Sequence, residues 1–249
     1  MTEETTVPFG VRDVAPEEKA PLVGEVFRSV ATSYDVMNDL MSGGVHRIWK
    51  SITVDRMNPQ PGDHLIDVAG GTGDVAASFL IRASERQARG RPPAAATVCD
   101  INHAMLKAGY GRDHGTRVCG DAEKLPLPDR QFTHYSIAFG IRNVTDRAAA
   151  FKEAFRVLRY GGRLFVLEFS QPPSGTFRAI YDRYSDAVIP RLGEAVVGDR
   201  DSYEYLVQSI RRFPGPEALA REIQAAGFSR VSFERFTNGV AVLHTAAKI

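Results

Sequence analysis

The chain has 249 residues and 27.3 kDa, with 43% hydrophobic and 24% charged residues. That is enough for one α/β core with an appended cap, and it excludes a disordered or fibrous protein. Lys plus Arg number 31 against 30 Asp plus Glu, and the resulting net charge of +1 argues against a dedicated nucleic-acid binder.

The first ten residues, MTEETTVPFG, have neither a basic n-region nor an apolar h-region, so no secretory signal is expected. No apolar run approaches the ~18 residues of a membrane span. A soluble, cytoplasmic chain is expected, with peripheral contact at the inner face of a membrane left open. Cys99 and Cys119 cannot staple a secreted scaffold, and their surroundings read as those of two buried free thiols.

From Pro16 to about Met57 the pattern is helical, with Val23, Val26, Phe27 and Val30 on one face. Residues 1–58 are read as an amino-terminal helical lid, and 59–249 as the core. Beyond the Pro59–Gly62 break, His64–Ala69 is a buried strand, a glycine cluster follows, and Asp74 opens a helix. Ala96–Asp100, Thr116–Gly120, Phe132–Ala138 and Arg163–Phe169 read as further strands, with a short helix at Asn102–Ala108. Phe151, Phe155 and Leu158 mark a helix stopped by Gly161-Gly162. Strands alternating with helices imply a doubly wound, mostly parallel α/β sheet.

An aromatic and charged insertion, 170–214, interrupts this rhythm as a cap. Pro216–Ala226 is then a helix, and Ser229–Phe236 and Val240–Ala247 are strands. Only Thr237-Asn238-Gly239 separates those two, too few residues for a parallel crossover, so the last strand runs antiparallel to its neighbour.

The loop Asp67-Val68-Ala69-Gly70-Gly71-Thr72-Gly73-Asp74 joins the first core strand to its helix, where glycines let a ligand approach the backbone. A dinucleotide fingerprint begins in the same place. Asp74, however, puts an anion where a pyrophosphate would lie, whereas a positive sulfonium cofactor tolerates carboxylates there. Asp100 ends the second strand and can accept both ribose hydroxyls. Asp121-Ala122 follows the third strand and can meet an adenine edge. Carboxylates at the carboxyl ends of three consecutive strands point to S-adenosylmethionine rather than NAD.

These features and the closing hairpin resemble class I methyltransferases, which share a Rossmann-like seven-stranded sheet with an antiparallel last strand. The resemblance then tightens. Phe9-Gly10-Val11-Arg12-Asp13-Val14, Tyr34-Asp35-Val36-Met37-Asn38-Asp39-Leu40-Met41-Ser42, His46-Arg47-Ile48-Trp49-Lys50 and Phe139-Gly140-Ile141-Arg142-Asn143-Val144-Thr145-Asp146 are similar to the UbiE family of quinone-biosynthesis C-methyltransferases. So are Glu168-Phe169-Ser170, Gly198-Asp199, Ser202-Tyr203-Glu204-Tyr205-Leu206 and Ser209-Ile210-Arg211-Arg212-Phe213-Pro214. The resemblance implies cofactor contacts at Thr72, Asp100, Asp121 and Ala122, beside the loop residues Asp67, Gly70, Gly71 and Gly73. It also implies a serine before Phe139, where this chain has Ala138. The implied reaction is C-methylation of a polyprenyl benzoquinol, a demethylmenaquinol, or both, in ubiquinone and menaquinone biosynthesis.

In-line methyl transfer to carbon needs alignment and a nucleophilic ring, not a metal, and the six histidines show no ligand spacing. A quinol carbon gains electron density when its phenolic proton is removed or polarised. Arg142 and Asn143, after the fourth core strand, are the catalytic candidates, with Tyr34 in the amino-terminal segment. The alternative for Arg142 is a structural ion pair with one of the site carboxylates, and for Tyr34 it is core packing. Phe177, Ile180, Tyr181, Tyr184, Val188 and Ile189 in the insertion read as cap packing or as a lipid groove, with Met37, Leu40, Met41 and Trp49 opposite. The expected partner is a polyprenylated quinol and not nucleic acid; a homodimer and a quinone-biosynthesis complex are left open.

Overall fold

The computed structural model describes residues 6–10, 12–30, 39, 42, 44–111, 115–173, 175–187, 191, 194 and 200–249. Tyr34, Met37, Leu40, Met41, Val188 and Ile189 lie outside them, as do the side chains of Phe27, Val30, Phe177 and Ile180.

Nine strands are present among the described residues: β1 (Val7–Phe9), β2 (Arg12–Val14), β3 (His64–Val68), β4 (Ala95–Asp100), β5 (Thr116–Cys119), β6 (Phe132–Ala138), β7 (Leu158–Phe169), β8 (Ser229–Phe236) and β9 (Ala241–Ala247). The last seven form one sheet in the order β5-β4-β3-β6-β7-β9-β8. Pairing is parallel from β5 through β7, and β9 runs antiparallel to both β7 and β8. The last strand of the chain thus slots in as the second from the edge. The order reverses between β3 and β6, because the chain winds outward to β5 and then returns to the other side of β3. Such a switch point opens a crevice at the carboxyl ends of the strands.

Alternate residues of each strand feed opposite faces. Leu65, Phe165, Leu167 and Phe169 face a layer built from α2 (His46–Met57), α3 (Asp74–Ser84) and α7 (Arg200–Arg212). Ile66, Val68, Leu164 and Val166 face α5 (Arg147–Val157) and α8 (Pro216–Ala225). Each helix turns an apolar stripe inward, as with Tyr203, Leu206, Val207 and Ile210 of α7, spaced by three, one and three residues. The other helices described are α1 (Pro16–Val30), α4 (His103–Ala108) and α6 (Thr176–Ala187). Among the described residues no helix is long and apolar enough to cross a membrane.

Three details depart from the sequence expectation. The helix α5 ends at Val157, and Leu158 already pairs with Phe132, so the strand passes through Gly161-Gly162 rather than starting after them. A left-handed Gly161 (φ +80°) takes the resulting bulge. Ahead of the helical segment stands the unforeseen β1–β2 hairpin, docked on α7 through the Phe9 and Tyr205 rings, 4.7 Å apart. Finally, Cys99 is buried, with its thiol pushed up to about 12 by burial, but Cys119 is exposed because β5 is an edge strand.

Candidate functional site

The reversal of strand order coincides with a cleft of ≈ 1140 Å³. Its floor is the loop after β3. Ala69 (φ +50°), Gly71 (φ +54°) and Gly73 (φ +91°) are all left-handed, and Gly73 delivers the chain into α3. Gly70 is demanded by contact: a Cβ there would stand 2.8 Å from the Asp67 carbonyl, from Asp67 Oδ2 and from Val98 Cγ1. Gly140, after β6, answers Ala69 in the same way, since an added Cβ would lie 2.5 Å from the Ala69 methyl. Ala69 is thus accommodated by a glycine on the neighbouring strand end.

Carboxylates surround this floor. Asp67 is fully buried; its Oδ1 accepts from Ser136 Oγ at 2.6 Å, while its Oδ2 has no hydrogen-bond partner among the described residues. Burial pushes its carboxyl up to about 7, against the opposing pull of the Ser136 hydrogen bond and of Lys50. Asp100, at the end of β4, accepts from the backbone N–H of Gly71 at 2.9 Å and of Asn102 at 2.8 Å. Burial raises its pKa, and these two hydrogen bonds pull it down. Asp121 caps the next turn by accepting from Glu123 N–H at 2.9 Å, and Ala122 lies buried beside it. Thr72 Oγ1 donates to Asp74 Oδ1 at 3.2 Å. Seven of the eight predicted cofactor residues, Asp67, Gly70, Gly71, Thr72, Asp100, Asp121 and Ala122, line the cleft; the eighth, Gly73, is not in its lining and sets the turn between Thr72 and α3. Ala138 lines it too, with a methyl where the resemblance has a hydroxyl.

The predicted catalytic residues separate. Asn143 faces the cleft. Arg142 does not line it: its side chain is 1% exposed, with Nη1 donating to Glu168 Oε1 at 2.8 Å and to the Phe139 carbonyl. Its backbone N–H donates to Glu168 Oε2 at 3.2 Å. The pair therefore braces the short turn Ile141–Asn143, and the partner is Glu168 rather than a cleft carboxylate. Arg142 instead borders a smaller cavity of ≈ 330 Å³ with Lys19, Arg147, Tyr205 and Arg212. Tyr34 lies outside the described residues. Tyr181 and Tyr184 pack against the core cluster beneath α6, in line with cap packing.

Four residues that the sequence reading did not assign complete the site. Val23 and Gly24 of α1 form one wall, and Lys50 of α2 reaches in from above. Tyr205 donates to Asn143 Oδ1 at 3.1 Å, and burial pushes its phenol up to about 12. The α1 wall is tied down by Lys19, whose Nζ donates to the Val144 carbonyl at 3.0 Å. Burial, with Arg147 nearby, lowers the Lys19 pKa to about 8. His134 and His244 are spent on the carbonyls of Met57 and Pro216, as structural histidines.

This constellation has close relatives. Residues 12–248 match the model of the ubiE/COQ5 methyltransferase family. The ubiquinone/menaquinone biosynthesis C-methyltransferase UbiE of Caulobacter vibrioides is 53% identical over 96% of this chain and 97% of its own. The enzyme of that name from Cereibacter sphaeroides is 50% identical, with both chains fully covered. Among solved structures, a SAM-dependent methyltransferase from Thermotoga maritima superposes with a TM-score of 0.63 at 19% identity, covering 90% of this chain and 99% of that one. The chain belongs to the ubiE/COQ5 methyltransferase family.

Proposed function

We propose that this C-methyltransferase holds S-adenosylmethionine in the cleft at the strand ends and methylates a ring carbon of a polyprenylated quinol, in ubiquinone or menaquinone biosynthesis. The observation that carries the cofactor assignment is the orphaned, buried Oδ2 of Asp67 beside the glycine loop. Five carboxylates line the cleft, Asp67, Asp74, Asp100, Asp121 and Glu123, an arrangement hostile to a pyrophosphate and suited to a phosphate-free cation. Asp67 can take the ligand's ammonium, Asp100 its ribose hydroxyls, and Asp121 with Ala122 its adenine edge. When bound, the cofactor supplies a sulfonium-activated methyl group.

The residues of the chain supply alignment and polarisation. The carboxylate-lined floor holds the donor, and Val23 and Gly24 of α1 close over the acceptor side, restricting water. Asn143, with its carbonyl oxygen engaged by Tyr205, is left to offer amide N–H groups to a quinol oxygen as negative charge develops there. Arg142 acts at one remove, as a positioning residue that with Glu168 fixes the turn carrying Asn143. An oxidised quinone is electron-poor and carries no phenolic proton, so only the reduced ring can attack.

The test is an assay with a short-chain demethylated quinone and saturating S-adenosylmethionine, with and without dithionite. Methylated product is expected only with reductant. Equal rates in both conditions would mean that the ring carbon of a quinol is not the nucleophile.

A further inference from the structure

Against its five carboxylates, the described lining of the cleft holds one lysine or arginine, Lys50. It stands on α2, next to Trp49, whose Nε1 donates to Thr237 Oγ1 at 3.1 Å and whose ring meets Phe169 edge-on. The helix is therefore anchored at the residue before Lys50, whose own side chain is 16% exposed. Its Nζ lies 3.5 Å from Asp74 Oδ2, at the outer limit of a hydrogen bond, and Asp74 is 37% exposed. A solvated carboxylate at that distance leaves donor capacity on an ammonium that carries three N–H bonds. Lys50 also draws down the Asp67 carboxyl. Lys50, Asp67 and Asp74 thus gather at the glycine-loop end of the cleft. Asp100, at the end of β4, accepts from Gly71 of the same loop, and Asp121 stands further along the sheet, past the end of β5.

A sulfonium nucleoside with an amino-acid tail carries two positive groups and one carboxylate. The cleft carboxylates suit the first two and repel the third, unless a cation is placed for it. Resting on the donor assignment above, we infer that Lys50 receives the α-carboxylate of the methyl donor. It exchanges a long, solvated contact with Asp74 for a direct one with the ligand. Asp74 keeps the ammonium poised over the cleft while it is empty of ligand carboxylate. The pairing also ties α2 to donor binding, because the helix and the glycine loop then share one ligand.

Calorimetric titration of the full chain with S-adenosylmethionine and with its decarboxylated analogue tests this directly. The analogue keeps both positive groups and lacks only the carboxylate. The wild-type chain is expected to prefer S-adenosylmethionine by about 10- to 100-fold, the range for one charge-assisted hydrogen bond. Lys50→Met, which keeps the stem, should weaken S-adenosylmethionine alone and bring the two ligands within about threefold. Lys50→Gln repeats the comparison where the methionine disturbs packing, and Lys50→Arg should retain most of the preference. A variant without the lysine that keeps the preference, or loses affinity for both ligands equally, overturns the assignment and leaves the donor reading standing. A wild-type chain that binds neither ligand overturns the donor reading, and the role of Lys50 with it.

Discussion

The phenol of Tyr205 donates to the side-chain oxygen of Asn143 across 3.1 Å, linking α7 to the turn after β6. Phe9 of the amino-terminal hairpin lies on the Tyr205 ring, so the phenol is held from both sides. With its oxygen occupied, the Asn143 amide is left with its N–H groups for the cleft.

Removal of that one hydroxyl should therefore loosen the amide without unfolding the chain. Tyr205→Phe is expected to lower kcat by about 3- to 10-fold, the value of one neutral hydrogen bond, with S-adenosylmethionine affinity unchanged. Steady-state kinetics beside calorimetry would decide it. Unaltered kcat, or an equal loss of cofactor affinity, would remove Tyr205 from the positioning of Asn143.

The Arg142–Glu168 pair is almost wholly shielded from solvent, at 1% and 2% side-chain exposure. Arg142→Met alone strands a buried carboxylate and should cost about 3–5 kcal/mol of stability. The double variant Arg142→Met with Glu168→Gln removes both charges and should recover most of that loss. Its turnover should nevertheless stay low, because the turn bearing Asn143 has lost the brace that both groups made with the backbone. Urea unfolding and kcat measured on the same preparations separate the two effects. Recovery of both together would reduce the pair to a structural role.

What the sequence made legible follows from how local each signal is. The parallel strands of the sheet are short apolar runs between glycine and proline breaks, and the four-residue link between β8 and β9 forces the direction of the last strand. The candidate cofactor residues sit at or just past the ends of β3, β4 and β5, so spacing along the chain locates them. Tyr205 and Lys50 reach the site from α7 and α2, 62 residues beyond Asn143 and 24 before Asp74. No local pattern marks which face of those helices meets the cleft. The β1–β2 hairpin was hidden for a different reason. Its strands are three residues long and gain their burial from α7, late in the chain. Arg142 shows the limit most plainly: its position after β6 was readable, but its direction depends on Glu168, on the next strand.

Asp67 gives the site a pH signature. Burial lifts its pKa above the unfolded carboxylate value, to about 7, so the folded chain binds the extra proton. Stability of the ligand-free protein should fall as pH rises from about 4 through 7, where an unpaired charge must form in the interior. Asp67→Asn should flatten that part of the profile. A cationic ligand favours the ionised form, so donor affinity should rise with pH over the same window and level off above it. Titrations at pH 6 in buffers of different ionisation enthalpy should show proton release on binding, absent in Asp67→Asn. Asp100, whose pKa burial also raises, adds to the release, so a residual signal in the variant is assigned by repeating the titration with Asp100→Asn. Proton uptake, or no exchange at all in the wild-type chain, would contradict a cation bound at Asp67.

Gly24 is the remaining residue whose presence calls for a reason. It sits inside α1, where glycine costs about 0.8–1 kcal/mol relative to alanine, yet among the described residues an added Cβ would meet no atom within 4 Å. Packing therefore does not require it. The residue lines the cleft beside Val23, and Lys19, just over one turn earlier, bonds the carbonyl of Val144 on the opposite rim. Gly24 and Asn143 line the same cleft, so the space that Gly24 leaves is the proposed entry for an acceptor ring. Gly24→Ala should raise the melting temperature and keep activity, since one methyl fits the open space. Gly24→Leu should fill that space and raise KM for the acceptor by about tenfold or more, as a misplaced substrate forfeits several contacts at once. S-adenosylmethionine affinity should be unchanged in both. Thermal melts, calorimetry and acceptor-dependent kinetics on the two variants are sufficient. If Gly24→Leu weakens donor binding instead, α1 covers the donor, and the acceptor path must be sought on another wall of the cleft.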